Sequence, residues 1–122
     1  MDSRASGVTV DHISEEIGQR AAAAVTELQV TGRGGVVAGA DAVVLNITIV
    51  APAAAGYATV YPCGAERPNS SNLNFTAGQT IANAVITKVG IDGKVCIYTH
   101  QATHLLADVS GCLLYTSDAA DE

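Results

Sequence analysis

The chain has 122 residues, 48% of them hydrophobic and 15% charged, with a formal net charge of −6. That length suits one domain, the apolar share excludes a disordered chain, and no apolar run approaches the roughly 18 residues of a membrane-spanning helix. Six Lys+Arg against 12 Asp+Glu leave no basic stripe for neutralising phosphates, so neither nucleic acid nor an anionic membrane surface is an expected partner.

Fourteen Val, eight Ile and eleven Thr against seven Leu and two Lys favour strands over helices, because branched side chains fit a pleated surface. Residues 14–24 offer the one helical pattern, with Ser14 as N-cap and Ile13, Ile17 and Ala21 at helical spacing. Gly18 and the branched residues that follow weaken it, and 25–30 (VTELQV) reads better as a strand. Residues 31–35 (TGRGG) form a glycine-rich loop without the Lys-Ser/Thr of a phosphate loop.

Residues 42–50 (AVVLNITIV) give the clearest strand, with Val43, Leu45, Ile47 and Ile49 on one face and Asn46 and Thr48 on the other. Strands follow at 57–61, closed by Pro62, and at 72–75, where Leu73 and Phe75 alternate with Asn72 and Asn74. Between these two, residues 63–69 make a polar loop containing Pro68. Residues 80–89 alternate again, with Ile81, Val85 and Val89 on one face. The Asp92-Gly93 pair at the end of the next loop is a hairpin signal. Strands at 94–99 and 103–109 complete the expected architecture, an all-β antiparallel β-sandwich of about seven strands.

The stretches VTELQVTGRGGV, AVVLNITIV, GYATVYPCG, SNLNFTAGQTIANAVITKVG, GKVCIYT and THLLADVSG resemble an uncharacterised repeat module of secreted actinobacterial cell-surface proteins. The resemblance covers nearly all of residues 2–111, from Asp2-Ser3-Arg4 to Asp108-Val109-Ser110-Gly111. Val37 and Ala82 stand where that module often has proline. The resemblance implies secretion or a cell-surface location, and a role alone, in tandem or beside hydrolase domains; it supplies no catalytic residues. The last eleven residues, CLLYTSDAADE, resemble the in-frame translation of a sequencing-library adapter, which implies a β-sandwich module at 2–111 and a non-native tail at 112–122.

The export that the resemblance implies favours a disulfide between Cys63 and Cys96 over two buried free thiols. Each cysteine shares a strand face with a tyrosine, Tyr61 with Cys63 and Tyr98 with Cys96. His100, His104 and Asp108 recur every four residues, which on a helix would form a metal clamp. On an extended strand four residues span roughly 13 Å, so a metal-dependent hydrolase is the minor alternative and no metal site or cofactor is expected. Asn46, Asn72, Asn74 and Asn83 fall inside strand-like runs, where asparagine is depleted. They either satisfy backbone groups or, with Tyr57, Tyr61 and Tyr98, make a polar and aromatic face for sugar hydroxyls. There is no G-x-S-x-G, no H-E-x-x-H and no other nucleophile pattern, so no catalytic residue is assigned. The expectation is a non-catalytic extracellular structural or binding module. Its partner would be a glycan or another cell-surface protein domain, and it would attach or space neighbouring domains.

Overall fold

The computed structural model describes residues 1–4, 18–32, 36 and 39–114. They form an all-β protein of seven strands: β1 (Ala24–Gln29), β2 (Ala42–Val50), β3 (Gly56–Pro62), β4 (Leu73–Phe75), β5 (Thr80–Lys88), β6 (Lys94–Thr99) and β7 (His104–Leu113). The strands pair antiparallel in two sheets, one ordered β1-β6-β3-β4 and the other β5-β2-β7. This is a β-sandwich.

The alternation in β2 decides how the sheets pack. Val43, Leu45, Ile47 and Ile49 are all fully buried, while the residues between them are half-buried on the opposite face. Burying each such side chain stabilises the fold by about 1.5–3 kcal/mol. Against them lie Leu28 of β1, Ala58 and Val60 of β3, Leu73 and Phe75 of β4, and Val95 and Ile97 of β6. Val85, Leu105 and Ala107 of the three-stranded sheet complete the core.

The Asp92-Gly93 pair does not close a hairpin. It lies between β5 and β6, which belong to different sheets, so the chain turns a corner from one layer to the other. Both residues still adopt the left-handed backbone that the pair favours, Asp92 at φ 59° and Gly93 at φ 74°. The corner docks on the end of β3: the Ile91 amide donates to the Cys63 carbonyl at 2.8 Å, and the Cys63 amide donates to Lys94 at 3.3 Å. A Cβ on Gly90 would collide with the Cys63 backbone, so glycine is what allows this approach.

Residues 14–17 of the helical pattern lie outside the described residues, and the described remainder, 18–24, is not helical. Of its described part, Arg20 bridges to Thr103 and Ala24 opens β1. At the other end β7 continues through Leu113, with Cys112 opposite Val43 and Leu113 opposite Ala42, so the 111/112 boundary falls inside a strand. A register shift between Val44 and Leu45 marks a bulge in that ladder. Cys112 packs against the core, whereas residues 115–122 lie outside the described residues.

Residues 1–3 pair along the free edge of β7. The Met1 amino group donates to the Ala107 carbonyl at 2.9 Å, and the Ser3 amide donates to Leu105 at 3.0 Å. That pairing covers part of an edge that would otherwise present open backbone groups.

Candidate functional site

Alternation along β3 and β6 puts a second, smaller cluster on the outer face of the four-stranded sheet. Residues 58 and 60 of β3 and 95 and 97 of β6 point to the core, so Tyr57, Thr59 and Tyr61 point outward beside Cys96, Tyr98 and His100. Tyr61, Cys63, Cys96 and Tyr98 are buried together, with Tyr57 packed at their margin. Cys63 and Cys96 form a disulfide with Cα atoms 5.0 Å apart, within the reach that such a bond requires.

The cover over this cluster is the β3–β4 loop, residues 63–72. Its cysteine end is stapled to β6, and its middle is tied down by Thr59, whose hydroxyl donates to the Ser70 carbonyl at 2.7 Å. Its far end is held by Asn72, whose amide donates to the Ala58 carbonyl at 2.9 Å and whose Oδ1 accepts from the Val60 amide at 2.7 Å. β4 begins only at Leu73, so this side chain satisfies a backbone donor beyond the end of its neighbouring strand.

So held, the loop carries the Arg67 guanidinium over Tyr98, its central carbon 3.7 Å from the ring centroid. The aromatic row continues from there. Tyr57 meets Tyr98 with ring planes tilted 46° and centroids 5.9 Å apart, and stacks one face on His100 at 4.7 Å with planes 16° apart. The His100 amide donates to the Tyr57 carbonyl at 2.9 Å, which fixes the pair, while its buried Nδ1 has no hydrogen-bond partner among the described residues.

Between the loop and β4 opens a cleft of about 220 Å³, lined by Tyr57, Arg67, Pro68, Asn69, Ser70, Ser71 and Asn74. Tyr57 is half-buried, and Asn74, directly opposite it in the β3–β4 ladder, is exposed. The side chains of Asn69, Ser70, Ser71 and Asn74 make no hydrogen bond among the described residues. The cleft therefore joins one aromatic face, one cation and a set of uncommitted amides and hydroxyls.

The seven residues expected to share a polar face do not lie together. Tyr57 and Asn74 line the cleft, whereas Tyr61 and Tyr98 are buried beneath the loop. Asn72 is committed to the backbone of β3. Asn83 lies opposite Ile47 on the inward side of β5, where its Nδ2 donates to the Asn72 carbonyl at 2.8 Å and ties one sheet to the other. Asn46 sits on the outer face of the three-stranded sheet, between Ala84 and Asp108.

The His100, His104 and Asp108 series is also dispersed. His100 belongs to the aromatic row, His104 lies at the start of β7 with Nδ1 3.1 Å from the Ser3 hydroxyl, and Asp108 is exposed farther along β7. Among the described residues, no three His, Cys, Asp or Glu side chains stand close enough to hold a metal ion. No described helix is long and apolar enough to cross a membrane.

Arg67, Asn69, Ser70 and Ser71 are site residues that the strand pattern does not mark. They lie in an aperiodic polar loop, and only the folding of that loop over Tyr98 gives them a role. Compared with protein-family models, curated proteins and solved structures, the chain matches none.

Proposed function

We propose that the chain is a non-catalytic module of the cell surface or extracellular space that binds glycan through the cleft between β4 and the 63–72 loop. The observation that carries this reading is the half-buried Tyr57 ring, set in a cleft whose amide and hydroxyl side chains make no hydrogen bond among the described residues. A tyrosine face accepts the C–H face of a sugar ring, and the surrounding amides and hydroxyls match its hydroxyl groups in both directions. The stapled loop supports it further, because a preformed site loses less freedom on binding. The disulfide fits an oxidising compartment. In this reading the module attaches or spaces neighbouring domains by holding them to a saccharide surface.

Glycan-array screening of the full chain, followed by calorimetric titration of the best ligand, tests the proposal. Tyr57→Ala and Asn74→Ala should each weaken binding; Asn74 is exposed, so its substitution should leave the melting temperature unchanged, whereas Tyr57→Ala also loses the stacking on His100 and should lower it modestly. Failure to bind any glycan, or binding indifferent to both substitutions, overturns it.

A further inference from the structure

The glycan reading leaves the sugar class open, and the geometry points to a carboxylated sugar, a uronic acid unit, read by Arg67. This inference rests on the glycan reading and narrows it. A guanidinium is planar, with its five N–H donors directed outward in that plane. Arg67 spends its face on the Tyr98 ring, at 3.7 Å from the centroid, and that contact consumes none of the donors. Among the described residues Arg67 makes no ion pair and no hydrogen bond; the described ion pairs are Arg4 with Asp2 and Lys94 with Glu27. The guanidinium is thus held against the Tyr98 ring at the cleft wall with no described partner on its donors, and such a fork binds a carboxylate through two parallel hydrogen bonds.

The charge balance sharpens the point. With a net charge of −6, the chain offers anions no general attraction, so recognition of one rests on the local fork rather than on the field of the whole molecule. The cleft's volume of about 220 Å³ lies below the roughly 300–1,000 Å³ of pockets that enclose drug-sized ligands, and suits a single ring-sized unit. Tyr57 then takes the ring face, Ser71 and Asn74 take hydroxyls, and the carboxylate at C5 meets Arg67.

The probes are α-1,4-linked trigalacturonate and its neutral counterpart galactotriose, which differ only in carboxylate against hydroxymethyl. Titrated into the full chain, trigalacturonate should bind about tenfold tighter or more, the effect of hydrogen bonds to a charged group. Arg67→Gln should abolish that preference, and Arg67→Lys, which keeps the charge but not the fork, should retain only part of it. Equal affinity for the two sugars overturns the carboxylate inference and leaves the glycan reading standing. Binding of neither, together with a blank glycan array, removes both. Should Arg67→Gln fail to fold, two-dimensional NMR of the unmodified chain decides: trigalacturonate must shift the Arg67 Nε–Hε resonance, and shifts confined to other regions refute the assignment.

Discussion

Cys63 reaches diagonally across the β3–β6 ladder to Cys96, with their Cα atoms 5.0 Å apart, while Tyr61 occupies the position directly opposite Cys96. The staple therefore sits where β3 ends and the 63–72 loop begins. It fixes the fold and the root of the loop that carries Arg67 in a single bond.

Reduction should accordingly act at two levels. The bond closes a sequence separation of 33 residues, for which loop-closure entropy gives about 3–4 kcal/mol. Denaturant unfolding of oxidised and reduced chain should differ by that amount, and Cys63→Ser should reproduce the reduced value. Hydrogen exchange should show residues 63–72 losing protection before β2 does. Equal stability of the two forms would refute the role of the staple.

The strand asparagines divide into hydrogen-bonded members, Asn72 and Asn83, and members with no described side-chain hydrogen bond, Asn46 and Asn74, and substitution should separate them. Asn72 satisfies the Val60 amide, so Asn72→Ala leaves a part-buried donor without its acceptor and should cost about 1–2 kcal/mol. Asn83→Ala removes the bond from Asn83 to the Asn72 carbonyl, which is exposed, and should cost about 0.5 kcal/mol. Asn46→Ala and Asn74→Ala break no described hydrogen bond and should leave stability within about 0.5 kcal/mol of the unmodified chain. Chemical unfolding of the four variants checks the order.

How much of this was legible in the sequence follows from which interactions are periodic. The alternation of Val43, Leu45, Ile47 and Ile49 shows in the residues themselves because one face of β2 is fully buried, and β2 and β6 have the bounds that alternation predicts. The two cysteines share a face with tyrosines for the same reason. Asp92-Gly93 signals a hairpin but forms a corner, because its backbone angles are local, whereas the sheet that receives the next strand is decided by packing. Asn83 reads as polar-face material until the register with Ile47 turns it inward. Arg67 carries no periodic signal: its role comes from Tyr98, which lies 31 residues on in the chain, 98 less 67.

Acid should weaken the N-terminal pairing along β7. Arg4 donates through Nε to Asp2 Oδ1 at 3.0 Å and through Nη2 to Oδ2 at 2.8 Å, and these bonds hold the Asp2 carboxyl below its ordinary value of 3.8. A lowered folded-state pKa stabilises the fold above the ordinary value, and the contribution disappears as pH falls through the lowered one. Arg4 is 44% exposed, so solvent screening keeps the contribution small. Asp2→Asn should therefore lower stability slightly at pH 7 and not at all once pH falls below the lowered value. A difference that persists there, in urea unfolding at both pH values, would show that the pairing rests on something other than the charge.

Two buried threonines should respond in opposite directions to the same change. Thr26 faces the core from β1, only 5% exposed, and its hydroxyl has no hydrogen-bond partner among the described residues. Valine has nearly the same shape without the hydroxyl, so Thr26→Val removes an unsatisfied polar group and should stabilise the fold by about 1 kcal/mol. Thr59 is fully buried too, but its hydroxyl donates to the Ser70 carbonyl at 2.7 Å and holds down the loop. Thr59→Val should cost about 1 kcal/mol, because the hydrogen bond is lost. It should also weaken ligand binding, since Ser70 lines the cleft. Melting temperatures of the two variants give the test. If Thr26→Val destabilises as much as Thr59→Val, its hydroxyl has a partner in solution and this account of Thr26 fails.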